Sequence, residues 1–118
     1  MLVDARTLLA ACGHDGALLA SITNELPAAL QSQLETLARA IDDRELPRLR
    51  EAAHRVCGLL APFSTFARDI AGDLEDAAAA REPPSVLSEL VDRLAEVVPA
   101  LIGELRGITV AELRAKLA

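Results

Sequence analysis

The 118 residues predict an all-α fold, an antiparallel up-down four-helix bundle with short extra helices at both ends. Three observations carry that expectation. Leucine and isoleucine recur in steps of three and four along four long stretches, which is helical periodicity, and no stretch alternates as a strand would. Proline, glycine or a short polar turn closes each stretch. The chain is 52% hydrophobic but only 2% aromatic, so its apolar content is Leu, Ala, Val and Ile, the side chains that fill helix–helix interfaces.

The elements follow in order. A short first helix from about Asp4 to Cys12 stops at Gly13, a natural C-terminal cap. Asp15 caps a long second helix with the stripe Leu19, Ile22, Leu26, Leu30, Leu34, Leu37 and Ile41; Pro27 inside it should kink the helix or mark its true start. Asp42-Asp43-Arg44 is the turn. The third helix, about Glu45 to Ala61, takes Pro47 in its first turn, where no backbone donor is needed, and carries Leu46, Leu49, Ala53, Val56, Leu60 and then Phe63. Pro62 ends it. Ser64 or Thr65 caps a fourth helix through Phe66, Ile70, Leu74 and the alanines to Ala80. Pro83-Pro84 breaks the chain before a fifth helix with Leu87, Leu90, Leu94, Val98, Leu101 and Leu105, with a kink expected at Pro99 and Gly107 closing it. Thr109 to Glu112 has the spacing of a capping box for a short last helix ending near Leu117. The short connections make the long helices antiparallel neighbours within one domain, residues 1–118.

Charge and composition narrow the function. A net charge of −6 and the near absence of aromatics argue against nucleic acid, which needs a basic surface and stacking platforms. No apolar run is long enough to span a bilayer, so membrane insertion is not expected. Cys12 and Cys57 form no CxxC pair or disulfide framework, and with no leader at Met1-Leu2-Val3-Asp4 a reducing cytoplasm is the expected compartment. Cys12, His14, His54 and Cys57 have no structural zinc spacing, so neither a metal nor a cofactor is expected. Phosphate-binding glycine loops and nucleophile elbows are absent, which argues against an autonomous enzyme.

One site stands out. On a helix of about 100° per residue, His54 lies roughly 120° from the centre of the third helix's apolar stripe, on the solvent side. Arg50 and Gly58, four residues either way, are its neighbours on the helix surface. Glycine in a helix interior costs about 1 kcal/mol against alanine. Either Gly58 gives a partner access to the imidazole, or it serves close packing against another helix. A neutral imidazole is a competent nucleophile at pH 7. The acidic side chains Asp15, Asp42, Asp43, Glu75 and Asp76 fall at caps, turns and helix faces, where a solvated surface is the default.

The segment Ala53-His54-Arg55-Val56-Cys57-Gly58 resembles the signature of the histidine-containing phosphotransfer (HPt) family, in which Ala-His is followed, one residue on, by an apolar residue, a lysine and a glycine. Leu9 to Asp15, Ala38 to Asp43 and Leu74-Glu75 extend the resemblance along most of the chain. The resemblance implies a phosphorelay carrier of two-component signalling. His54 would accept a phosphoryl group from a receiver-domain aspartate and pass it on, with Mg²⁺ belonging to the receiver. The implied partner is a receiver (response-regulator) domain, alone or within a hybrid histidine kinase, and the carrier would be a monomer or a dimer. Two residues depart from the pattern. Cys57 replaces the usual lysine that offsets phosphate charge, and Ser64 replaces a common glycine. Arg50 is then the candidate for the missing positive charge. A degenerate HPt-like module that docks a receiver or other signalling partner without phosphotransfer is the alternative, and an unrelated bundle used for assembly is a third.

Overall fold

A computed structural model describes residues 1–118, and all of its regular structure is helical: α1 (Ala5–Cys12), α2 (Gly16–Asp42), α3 (Leu46–Leu60), α4 (Thr65–Ala79), α5 (Pro84–Leu105) and α6 (Val110–Ala115). Helix α2 packs against α3 and α5, and α4 packs against the same two, so each long helix has two long neighbours. Helix α1 packs on α2 and α6. Buried apolar residues from all six helices join in one core, with Leu8, Leu30, Leu37, Leu49, Leu60, Leu74, Leu94 and Leu101 among its fully buried members.

The helix starts follow local chemistry. Asp4, Asp15, Ser64 and Thr109 each accept a backbone N–H of the first turn they precede, satisfying donors that have no partner inside the helix. Of the two candidates for the fourth helix, Ser64 is the cap; it is fully buried, and its hydroxyl accepts from Ala67 N at 3.1 Å. Helices α3 and α5 have no side-chain cap and begin with proline in the first turn instead. Asp4 does more than cap. Its backbone N–H donates to Phe63 O at 2.8 Å, and its carboxylate accepts from Thr65 Oγ1 at 3.0 Å, tying the start of α1 to the α3–α4 turn. Hydrogen bonds from Thr7 hold the Asp4 carboxyl below the usual carboxylate range. The first residues are held by Glu104, whose carboxylate accepts from Leu2 N at 2.9 Å and Val3 N at 3.1 Å.

Three expectations are corrected or refined. Pro27 does not mark the start of α2, which begins at Gly16 and continues through it. Phe66 is 53% exposed and is not part of the core. The buried face of α4 is Ala67, Ile70, Ala71, Leu74 and Ala78, and Phe66 sits roughly a quarter turn from its centre. Small alanines, not the large aromatic, define that face. Finally, α5 ends at Leu105, with the left-handed Gly107 beyond it.

The ends of α2 and α4 carry an unusual choice. At the first, Glu45 N donates to Ala40 O at 2.9 Å and Arg44 N to Ile41 O at 3.1 Å; at the second, Glu82 N donates to Ala77 O at 3.0 Å and Arg81 N to Ala78 O at 3.2 Å. These are Schellman closures, which put one residue in the left-handed region and normally take glycine there. Here they take arginine, Arg44 at φ 55° and Arg81 at φ 56°. Left-handed strain costs about 1–2 kcal/mol, and glycine's freer unfolded chain takes back about 0.4–1 kcal/mol. Arg44→Gly should therefore stabilise the fold by about 0.5–1 kcal/mol, seen as a rise of about 2–4 °C in thermal midpoint. An unchanged or lower midpoint would show that the Arg44 side chain contributes more than its backbone strain costs.

Candidate functional site

His54 lies in the middle of α3, and its side chain is 74% exposed. The helix presents it outward because Ala52, Ala53, Val56 and Leu60 take the buried positions around it. Its partner comes from α4. Nδ1 of His54 lies 3.1 Å from Oε2 and 3.3 Å from Oε1 of Glu75, whose side chain is only 26% exposed. An ionised carboxylate only accepts hydrogen bonds, so the imidazole nitrogen facing it carries the proton. The neutral ring then has its lone pair on Nε2. The geometry thus favours one tautomer, with Nδ1 as donor and Nε2 carrying the free lone pair.

Glu75 was the least expected member of this site, since a solvated helix face was its default reading. The contact depends on how α3 and α4 register against each other, which periodicity within either helix does not reveal. The only sequence signal was its place in the Leu74-Glu75 pair. No group of three or more His, Cys, Asp or Glu side chains is placed to hold a metal ion.

The other candidate residues surround His54 without touching the imidazole through a hydrogen bond. Arg50 is exposed, pairs with no carboxylate, and lines a groove with Arg81. Its neighbours are committed elsewhere: Arg48 pairs with Glu45 and Arg55 with Glu51. Cys57 is half-buried beside Glu75, and burial pushes its thiol up, with the Glu75 charge adding to the effect. A thiol kept protonated in this way is a packing group and a poor nucleophile.

Gly58 is exposed, and a Cβ built on it meets nothing within 4 Å. That removes the close-packing explanation. Gly72 and Gly103 are equally unobstructed, so openness alone does not distinguish Gly58. Its position does. It stands one turn from His54 and borders a cleft of about 340 Å³ whose walls include Ile22, Ala29, Leu59 and Phe63. On the helix surface the exposed imidazole therefore has a mostly apolar cleft, with Glu25 among its walls, on one side and arginine on the other.

Comparison with known proteins adds no relative: no family model, curated protein or solved structure matches this chain.

Two outcomes follow from the geometry. In ¹⁵N spectra of the neutral imidazole, His54 should be mainly the Nδ1–H tautomer, and Glu75→Ala should move it toward the Nε2–H form usual in water. A tautomer ratio indifferent to Glu75 would mean that the carboxylate does not hold the ring in solution. Gly58→Ala should stabilise the fold by up to about 1 kcal/mol, since space is open and helix propensity improves; destabilisation in chemical denaturation would show that a neighbour closes on this position.

Proposed function

We propose that this chain is a phosphocarrier of the HPt type, accepting a phosphoryl group on His54 from the aspartate of a receiver domain and passing it to another. The observation that carries the proposal is an exposed histidine at mid-helix with Nδ1 engaged by a carboxylate. The resemblance of Ala53 to Gly58 to the HPt signature supports it independently. In this reading the four long helices form an antiparallel up-down bundle, consistent with each packing against two others. No helix is long and apolar enough to cross a membrane, which accords with a carrier working in the cytoplasm.

The transfer balances without a cofactor in this chain. The Nε2 lone pair attacks phosphorus, a nitrogen–phosphorus bond forms, and the oxygen–phosphorus bond to the receiver aspartate breaks, leaving a carboxylate. The Nδ1 proton stays on the ring. As the ring becomes cationic, Glu75 is in place to stabilise it, so the group that sets the tautomer also lowers the energy of the product. Phosphoryl transfer asks chiefly for positioning and charge stabilisation, and a rigid helix supplies the first. The second is less complete here. Cys57 stands where a lysine would help, and the nearest fixed charge on the imidazole is negative. Among this chain's own residues Arg50, one turn before His54, is the candidate to supply positive charge, beside the partner's Mg²⁺.

Incubation with a phosphorylated receiver should transfer label to this chain as acid-labile, base-stable phosphate. His54→Gln should abolish the transfer and leave receiver binding intact. Binding without any transfer by the unaltered chain would instead establish the docking-only module, and indifference of binding to the His54 surface would favour an assembly role.

A further inference from the structure

The turn after α4 takes arginine in the left-handed region, where glycine would close it with less strain. Arg81 is exposed and has no carboxylate partner. It faces Arg50 across a groove of about 260 Å³ formed by Leu46, Pro47, Arg50, Ala78, Ala79 and Arg81, with no acidic residue in its lining. This groove lies beside the site already described: Arg50 is one turn before His54 on α3, and Ala78 and Ala79 are one turn beyond Glu75 on α4. Two arginines without a carboxylate partner, from different elements, thus line one groove beside the site, on a chain whose net charge is −6.

Arg44 offers an internal comparison. It has the same left-handed conformation in the same kind of turn, but it borders a different cavity, of about 340 Å³, which it shares with Arg81, Ile41, Leu87 and the carboxylate-bearing Glu82.

Resting on the phosphocarrier reading, we infer that Arg81 and Arg50 form the cationic half of the docking surface and take the acidic rim of the receiver, with Arg81 as a determinant of partner recognition. The occupant follows from charge. A domain that holds a phosphoaspartate with Mg²⁺ surrounds it with carboxylates. Those carboxylates would be repelled by this chain's overall charge unless a local cationic surface met them. Guanidinium forks match carboxylate geometry, which suits arginine to the position better than lysine.

The test compares R81G with R44G in the full chain. Both should raise the thermal midpoint, since both relieve the same strain. Only R81G should impair docking: kcat/KM for transfer from the phosphorylated receiver should fall about tenfold through KM, with a shallower dependence on salt. Binding of the unphosphorylated receiver should weaken in parallel, and Arg81→Lys should restore part of it. R44G should transfer like the unaltered chain. If R81G and R44G behave alike, or if R81G slows transfer with receiver binding unchanged, the inference is wrong while the carrier reading stands. If the unaltered chain takes no phosphoryl group from any receiver, both fall together.

Discussion

The pairing of α3 with α4 is the constraint on which the candidate site depends. The α3–α4 turn brings the chain back along itself, anchored by buried Ser64 and by the bonds from Asp4 to Phe63 and Thr65. Alanine supplies much of what the two helices bury, Ala52 and Ala53 on one and Ala67, Ala71 and Ala78 on the other. Small side chains allow close helices, and close helices let a glutamate on α4 reach a histidine on α3. The contact at 3.1 Å between Glu75 and His54 is a consequence of that register. A shift of one residue along either helix would turn one of the two side chains about 100° away. Stability and chemistry are therefore tied to the same interface.

Electrostatics at the site pull in two directions. In the proposed transfer, a carboxylate against Nδ1 suits a ring that becomes cationic on phosphorylation. The same charge, on a chain already at −6, opposes the approach of an anionic donor. Cys57 does not offset it, being a half-buried thiol held protonated by burial and by Glu75 itself. The nearby positive charge lies in the groove between Arg50 and Arg81. In the proposed transfer, tautomer control and charge neutralisation are thus divided between α4 and the arginines at the end of the helices, which makes the arginines a matter of partner recognition as much as of chemistry.

Much of this was legible in the sequence, for identifiable reasons. Exposure of His54 follows from its angle to Leu49, Val56 and Leu60, which is a property of one helix, and the structure places it as the periodicity requires. The caps at Asp15 and Thr109 are local side-chain bonds that a residue type and its spacing announce. What was hidden lies between elements. Glu75 looked like surface because its partner is 21 residues away. Phe66 looked like core because it is large and apolar, whereas the buried face of α4 runs along alanines. Arg44 and Arg81 concealed two Schellman turns, since the expected marker there is glycine. A residue that contradicts local preference is invisible to a reading built on that preference, and it is where function is worth seeking.

The central claim is that Glu75 holds His54 through Nδ1 so that chemistry occurs at Nε2. The most direct measurement is the site of attachment in the phosphorylated, ¹⁵N-labelled chain, read from coupling between phosphorus and the imidazole nitrogens. The account predicts coupling to Nε2 alone, with Nδ1 still protonated. Phosphorus bonded to Nδ1 would contradict it, because that nitrogen would first have to leave Glu75.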